Sequence, residues 1–147
     1  MNDEPIVHLT VDGHRPCVAV VGGSPASAMI ATILVEQFGC EPLRAASGEA
    51  VLALLRTDPA IDLVLLDLAV PDMDGIVAAQ LIRTLGARKR LPIIAVTDDR
   101  QRLSTQHARA AGFNGAVIKP YSPRELHAAM ETALARSAAT PQVVGHA

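Results

Sequence analysis

The chain has 147 residues, enough for one domain with a substantial core, and half of them are apolar, which excludes a disordered polypeptide. Two Phe, one Tyr and no Trp leave that core to aliphatic side chains. A formal charge of −2 gives no long-range pull toward nucleic acid or anionic lipid, and no apolar run approaches the roughly 20 residues of a membrane span.

Residues 1–16 stand apart as an N-terminal extension. Met1-Asn-Asp-Glu-Pro5 lacks the basic and apolar regions of a signal peptide. The expected setting is therefore reducing and cytoplasmic, with Cys17 and Cys40 acting as small apolar thiols. Residues 6–11 alternate apolar and polar and meet Asp12-Gly13, a hairpin turn pair. Two readings are open here: pairing with a sheet edge of this molecule or a neighbour, and a mobile leader.

From Cys17 onward strand-like and helix-like segments alternate. Val18-Ala-Val-Val21 is short, β-branched and ungapped, as in a strand covered on both faces. Ser24-Pro25 starts a helix that runs to about Phe38 and stops at Gly39. Residues 42–46 form an edge-strand candidate, and 49–56 a second helix with Ser47 as its cap. Leu63-Val-Leu-Leu66 is the clearest strand and ends on Asp67. A loop over 68–75 leads into helical spacing over 76–85. Residues 91–96 form a fourth strand, 100–111 a fourth helix closed by Gly112, and 116–118 a fifth strand. Ser122-Pro123 caps a last helix reaching about Arg136, and 137–147 forms a fraying tail.

This alternation predicts an α/β fold, a five-stranded parallel sheet with helices on both faces in three α/β/α layers. Right-handed crossovers place every strand's carboxyl end along one edge, where ligands bind in open α/β sheets. Gly22, Asp67, Thr97 and Lys119 each follow directly on a strand, so they are expected to converge in one shallow cleft. The five histidines have no metal-ligand spacing, and His107 and His127 are expected to be solvated. Arg88-Lys-Arg90 reads as a basic loop.

Three stretches carry a resemblance: Asp62-Leu-Val-Leu-Leu-Asp-Leu-Ala-Val-Pro-Asp-Met-Asp-Gly75, Leu91-Pro-Ile-Ile-Ala-Val-Thr97 and Ala111-Gly-Phe-Asn-Gly-Ala-Val-Ile-Lys-Pro120. In this order they resemble the receiver domain of bacterial two-component response regulators, over residues 17–136. The resemblance implies a doubly wound, flavodoxin-like sheet in the order 2-1-3-4-5. It implies that Asp67 accepts a phosphoryl group from a histidine kinase or a histidine phosphotransfer protein. Thr97 would then hydrogen-bond the phosphoryl oxygen and Lys119 would pair with its charge. Physical chemistry agrees: a carboxylate attacks phosphorus poorly unless the incoming charge is offset, and Lys119 brings a point charge with three donors. Taken residue by residue, Asp67 as a loop-capping acid, Lys119 as a solvated lysine and Thr97 as an ordinary strand residue stay open.

The sequence departs from the family pattern at Gly22 and Gly23, which stand where the family carries two metal-binding acids. Mg²⁺ prefers six oxygens, and only Asp67, a loop carbonyl near Ala69 and water remain, so Mg²⁺ binding is expected to be weak or absent. Acids placed at 22 and 23 are expected to restore it. Asp98 and Asp99 either reach across or cap the fourth helix. The glycine pair reads either as an anion nest or as plain turn chemistry. Ala116 stands where the family often has an aromatic switch residue. The first helix is apolar almost all round, either as the docking face for the histidine donor or through deep packing.

The leading expectation is a stand-alone receiver that signals by protein contact and is not itself an enzyme. Its partners would be a histidine kinase or phosphotransfer protein, with a homodimer also open, and neither DNA nor membrane. The alternative is a pseudo-receiver, an interaction module with no Mg-dependent phosphorylation. A flavin- or nucleotide-binding domain of the same topology is a third class, opposed by the short, proline-bearing Gly22-Gly23-Ser24-Pro25.

Overall fold

The computed structural model describes residues 6–57, 60–86 and 90–144. In chain order the elements are β1 (Cys17–Val21), α1 (Pro25–Gln37), β2 (Glu41–Ala45), α2 (Gly48–Thr57), β3 (Leu63–Asp67), α3 (Gly75–Arg83), β4 (Ile93–Thr97), α4 (Gln106–Ala111), β5 (Gly115–Ile118) and α5 (Pro123–Val144). All strand pairs are parallel and the sheet order is β2-β1-β3-β4-β5, as expected.

Burial follows the period of two that a pleated strand imposes. Ala19, Val21, Val64, Leu66, Ile93 and Ala95 face a core closed by α2, α3 and α4. Val18, Val20, Leu63, Leu65, Ile94, Val96 and Val117 face a second core closed by α1 and α5. Both faces are dry, which explains why β3 and β4 read as continuous apolar runs. The register aligns the carboxyl ends: Val21 lies beside Leu66, Asp67 beside Val96, and Thr97 beside Ile118.

Helix starts carry the side chains their sequences offer. Ser24 Oγ accepts the Ser27 N–H at 3.1 Å, with Pro25 at the first helical position. Ser122 and Glu125 form a reciprocal capping box, with bonds of 3.1 and 2.7 Å. Ser47 Oγ accepts the Ala50 N–H at 3.0 Å.

Four expectations are corrected. The helix foreseen over 100–111 is broken: Arg100–Ser104 forms a 3₁₀ turn, and Thr105 then caps α4 by accepting the Ala108 N–H. The last helix does not stop near Arg136 but continues to Val144, through Ser137-Ala-Ala-Thr140, whose alanines favour helix. Residues 6–15 join no sheet edge. They turn at Asp12-Gly13 with a lone antiparallel bridge between Val11 and His14, and they bury Leu9 and Val11. The Leu9 N–H bonds Phe38 O at 2.8 Å, and Arg15 donates to the carbonyls of Gly39 and Cys40. His127, expected to be solvated, meets the Phe38 ring edge-on at 5.0 Å and bonds Val7 O at 2.6 Å. Residues 1–5 and His146, and most of the Arg88-Lys-Arg90 run, lie outside the described residues.

Cys17 and Cys40 are both thiols, and burial pushes Cys40 up to about 11. Among the described residues, no helix is long and apolar enough to cross a membrane.

Candidate functional site

Asp67 ends β3 between β1 and β4 and is 6% exposed. A carboxylate so placed needs partners for both oxygens. Oδ1 accepts the Ala69 N–H at 2.8 Å, and Oδ2 accepts from Lys119 Nζ at 2.8 Å. Lys119 follows β5, where its N–H bonds Thr97 O at 2.8 Å, and its side chain is about a quarter exposed. Sheet topology therefore joins two residues 52 apart in sequence into one charge-assisted bond.

Thr97 ends β4 and is 3% exposed. Its Oγ1 accepts the Asp99 N–H at 3.1 Å. Asp99 in turn caps the 3₁₀ turn by accepting the Gln101 N–H at 2.9 Å, the capping alternative of the two readings. Asp98 is exposed, and so is Ala116 on the edge strand.

Gly22 and Gly23 have φ of +76° and +81°, a region where L side chains are strained. A Cβ on Gly22 would stand 2.6 Å from Val70 Cγ1, and one on Gly23 would stand 2.6 Å from Asp67 Oδ2. Acids at these positions therefore do not fit the present loop without a shift of Val70 and Asp67. The Gly22 N–H is spent on Ala45 O at 3.0 Å, extending the β1–β2 ladder, so it gives nothing to an anion nest.

The residues present do not fit a magnesium ion. Both Asp67 oxygens are engaged, the flanking positions carry no carboxylate, and Ala69 faces Asp67 with its N–H. Among the described residues, no three His, Cys, Asp or Glu side chains gather as a metal would need. Lys119 supplies the positive charge beside Asp67.

Several residues that shape the site went unread in the sequence. Tyr121 is half-buried beside it, and its phenol is pushed above the ordinary range, first by burial and then by the negative charge of Asp67. Asp72, in the β3–α3 loop, accepts the N–H groups of Gly48 and Glu49 at 2.8 and 3.0 Å, tying that loop to the start of α2. Those two bonds, Glu49 first, hold its carboxyl below the usual range. Asp74 caps α3 through the Ile76 N–H at 2.7 Å and pairs with Arg102 at 2.9 Å. The acidic loop itself was visible, but what each acid reaches depends on α2 and the 3₁₀ turn.

Helix α1 divides its apolar surface. Ala28, Ala31, Leu34 and Val35 are buried, whereas Met29, Ile30 and Ile33 are exposed. The deep-packing reading thus describes one face of the helix, and the other face is exposed and apolar.

A parallel sheet in this order, with an aspartate and a lysine paired across its carboxyl edge, defines a receiver of two-component signalling. The chain belongs to the response regulator receiver domain family, which it matches over residues 18–131. It is 30% identical over 120 residues to the sensor histidine kinase GacS of Pseudomonas protegens, covering 80% of this chain and 13% of that one. It is 29% identical over 131 residues to the transcriptional regulatory protein BaeR of Escherichia coli, covering 89% and 53%. The chain thus spans about half or less of these relatives. Among solved structures, a putative response regulator from Chloroflexus aurantiacus is similar at a TM-score of 0.77 and 27% identity, covering 83% of this chain and 99% of that one. The receiver domain of the Pseudomonas aeruginosa kinase PA1611, solved with magnesium in its active-site cleft, shares the fold at a TM-score of 0.75 and 22% identity, covering 82% and 98%.

Proposed function

We propose that this protein receives a phosphoryl group on Asp67 from a phosphohistidine of a histidine kinase or phosphotransfer protein. The observation that carries this reading is the 2.8 Å contact between Asp67 Oδ2 and Lys119 Nζ. In the transfer, a carboxylate oxygen of Asp67 bonds to phosphorus as the donor's N–P bond breaks. The imidazole leaves with the electron pair and takes a proton from solvent. Lys119 Nζ offsets the charge brought in, and the Ala69 N–H holds the other carboxylate oxygen in place. The Thr97 hydroxyl, on turning from Asp99, donates to a phosphoryl oxygen. Gly23 keeps the acceptor oxygen uncovered, since any side chain there would lie over Oδ2.

The same reading has the protein act alone in the cytoplasm through contact with other proteins, the exposed Met29, Ile30 and Ile33 of α1 offering an apolar surface to the donor. A second copy of the chain is a further partner. No turnover of its own, DNA contact or membrane contact belongs to this reading.

The test is incubation with a phosphohistidine donor, comparing wild type with Asp67→Asn. Label on wild type and none on the variant is expected; label on both removes Asp67 from its role. A second reading, a receiver fold kept as an interaction module without phosphorylation, draws on the glycine pair and on Ala116. It is favoured if the donor labels a control receiver and leaves this wild type unlabelled.

A further inference from the structure

A half-open cavity of about 340 Å³ lies between α1 and the sheet, and one end of it reaches the Asp67–Lys119 pair. It opens to solvent, and its lining is mostly apolar. Ala28 and Ala31 are the buried residues that α1 turns to it, and Val20, Leu65 and Val96 of the sheet also line it. Ile30, more than half exposed, lines it from the same helix. The volume falls in the range of small-molecule sites, which are mostly apolar with a few polar groups at one end.

The polar end holds both members of the Asp67–Lys119 pair. Asp67 is buried and both its oxygens already accept bonds. Lys119 carries three N–H donors, its bond to Asp67 uses one of them, and its side chain is about a quarter exposed. Lys119 therefore keeps N–H donors for an incoming anion, beside Asp67, which also lines the cavity. Tyr121 lines the same cavity and is half-buried.

We propose that this cavity binds a small amphiphilic anion, its aliphatic chain against Ala28, Ala31 and Val96 and its single carboxylate on Lys119 Nζ. Both halves are required. A chain without a head leaves the lysine donors to water, and a head without a chain leaves the apolar walls wet. A bound anion would hold Lys119 and so slow transfer to Asp67, which makes the cavity a point of control by a metabolite. This consequence rests on the phosphoacceptor reading, whereas binding itself does not.

Octanoate is the probe, with octanol and acetate as the chain-only and head-only arms. Binding is followed by the emission of Tyr121, the single tyrosine in a chain without Trp, and by amide shifts in the full chain. Saturable octanoate binding is expected, with shifts at Ala28, Ala31 and Val96 and with octanol and acetate far weaker. Lys119→Met should weaken octanoate about tenfold, the loss of one charge-assisted bond. Ala31→Leu should fill the space and abolish binding with the melting temperature held or raised. If that variant does not fold, the smaller Ala28→Val serves, with weakened binding expected. Octanol binding as tightly as octanoate overturns the proposal. So do shifts confined to Met29 and Ile33 on the outer face of α1, unchanged binding in the filled variant, or no saturable binding. None of these outcomes touches the labelling of Asp67, so the two readings fail separately.

Discussion

Gly23 passes so close over Asp67 that a Cβ on it would stand 2.6 Å from Oδ2. Its φ of +81° also lies where a side chain is strained. Gly23→Ala is expected to lower stability by about 1–2 kcal/mol from the backbone alone, with the contact adding to it. Urea unfolding measures this, and labelling of Asp67 should fall in the same variant.

The paired substitution Gly22→Asp with Gly23→Asp should lose stability and gain no tight Mg²⁺ binding. The first new side chain meets Val70 and the second meets Asp67 itself. Calorimetric titration with Mg²⁺ checks this, and tight binding would mean that the loop relaxes to a different path.

Removing the amine of Lys119 strands a largely buried carboxylate. Lys119→Met should destabilise the fold near neutral pH by about 1–3 kcal/mol. In the double variant with Asp67→Asn the two losses should not add, because each single change removes the same bond. A double-mutant cycle by urea unfolding reads the coupling.

Asp72 gives stability a pH dependence. Its carboxyl is held below the ordinary 3.8 by bonds from Glu49 and Gly48, so folding favours the charged form. That contribution is fully present above 3.8 and is lost as pH falls through the lower folded value. Asp72→Ala should therefore melt below wild type near neutral pH, and the gap should close in strong acid. Melting curves across pH decide it.

Tyr121 reports on Asp67 without any label. Burial and then the Asp67 charge raise its pKa above 10.0. Asp67→Asn removes the second cause and keeps the first, so the phenol should titrate at lower pH than in wild type but still above 10.0. Ultraviolet absorbance of the single tyrosinate follows this directly.

Much of this fold was legible because its strands are short ungapped apolar runs, and parallel pairing brings their ends to one rim whatever the loops do. Asp67 and Lys119 were readable for that reason. The break at Thr105 was not: residues 100–111 hold no Gly or Pro to mark it, while the Thr105 hydroxyl captures the Ala108 N–H and restarts the helix. Arg83 was equally hidden. It donates to the carbonyls of Ala111, Gly112 and Leu91 and to Asn114 Oδ1, which itself accepts the Ile93 N–H. Such a clamp between α3 and the β5 approach exists only once the chain is folded. The glycine pair announced missing acids, but the left-handed backbone that strains any side chain there needed coordinates.

The central claim is that Lys119, and no metal ion, balances the charge at Asp67 during transfer. The most direct measurement is the labelling rate from a phosphohistidine donor that itself needs no metal at this step, taken in Mg²⁺ and again in a chelator. The account predicts equal rates in wild type and loss of labelling in Lys119→Met under both conditions. Labelling that appears only with Mg²⁺, or that persists without the lysine, would contradict it.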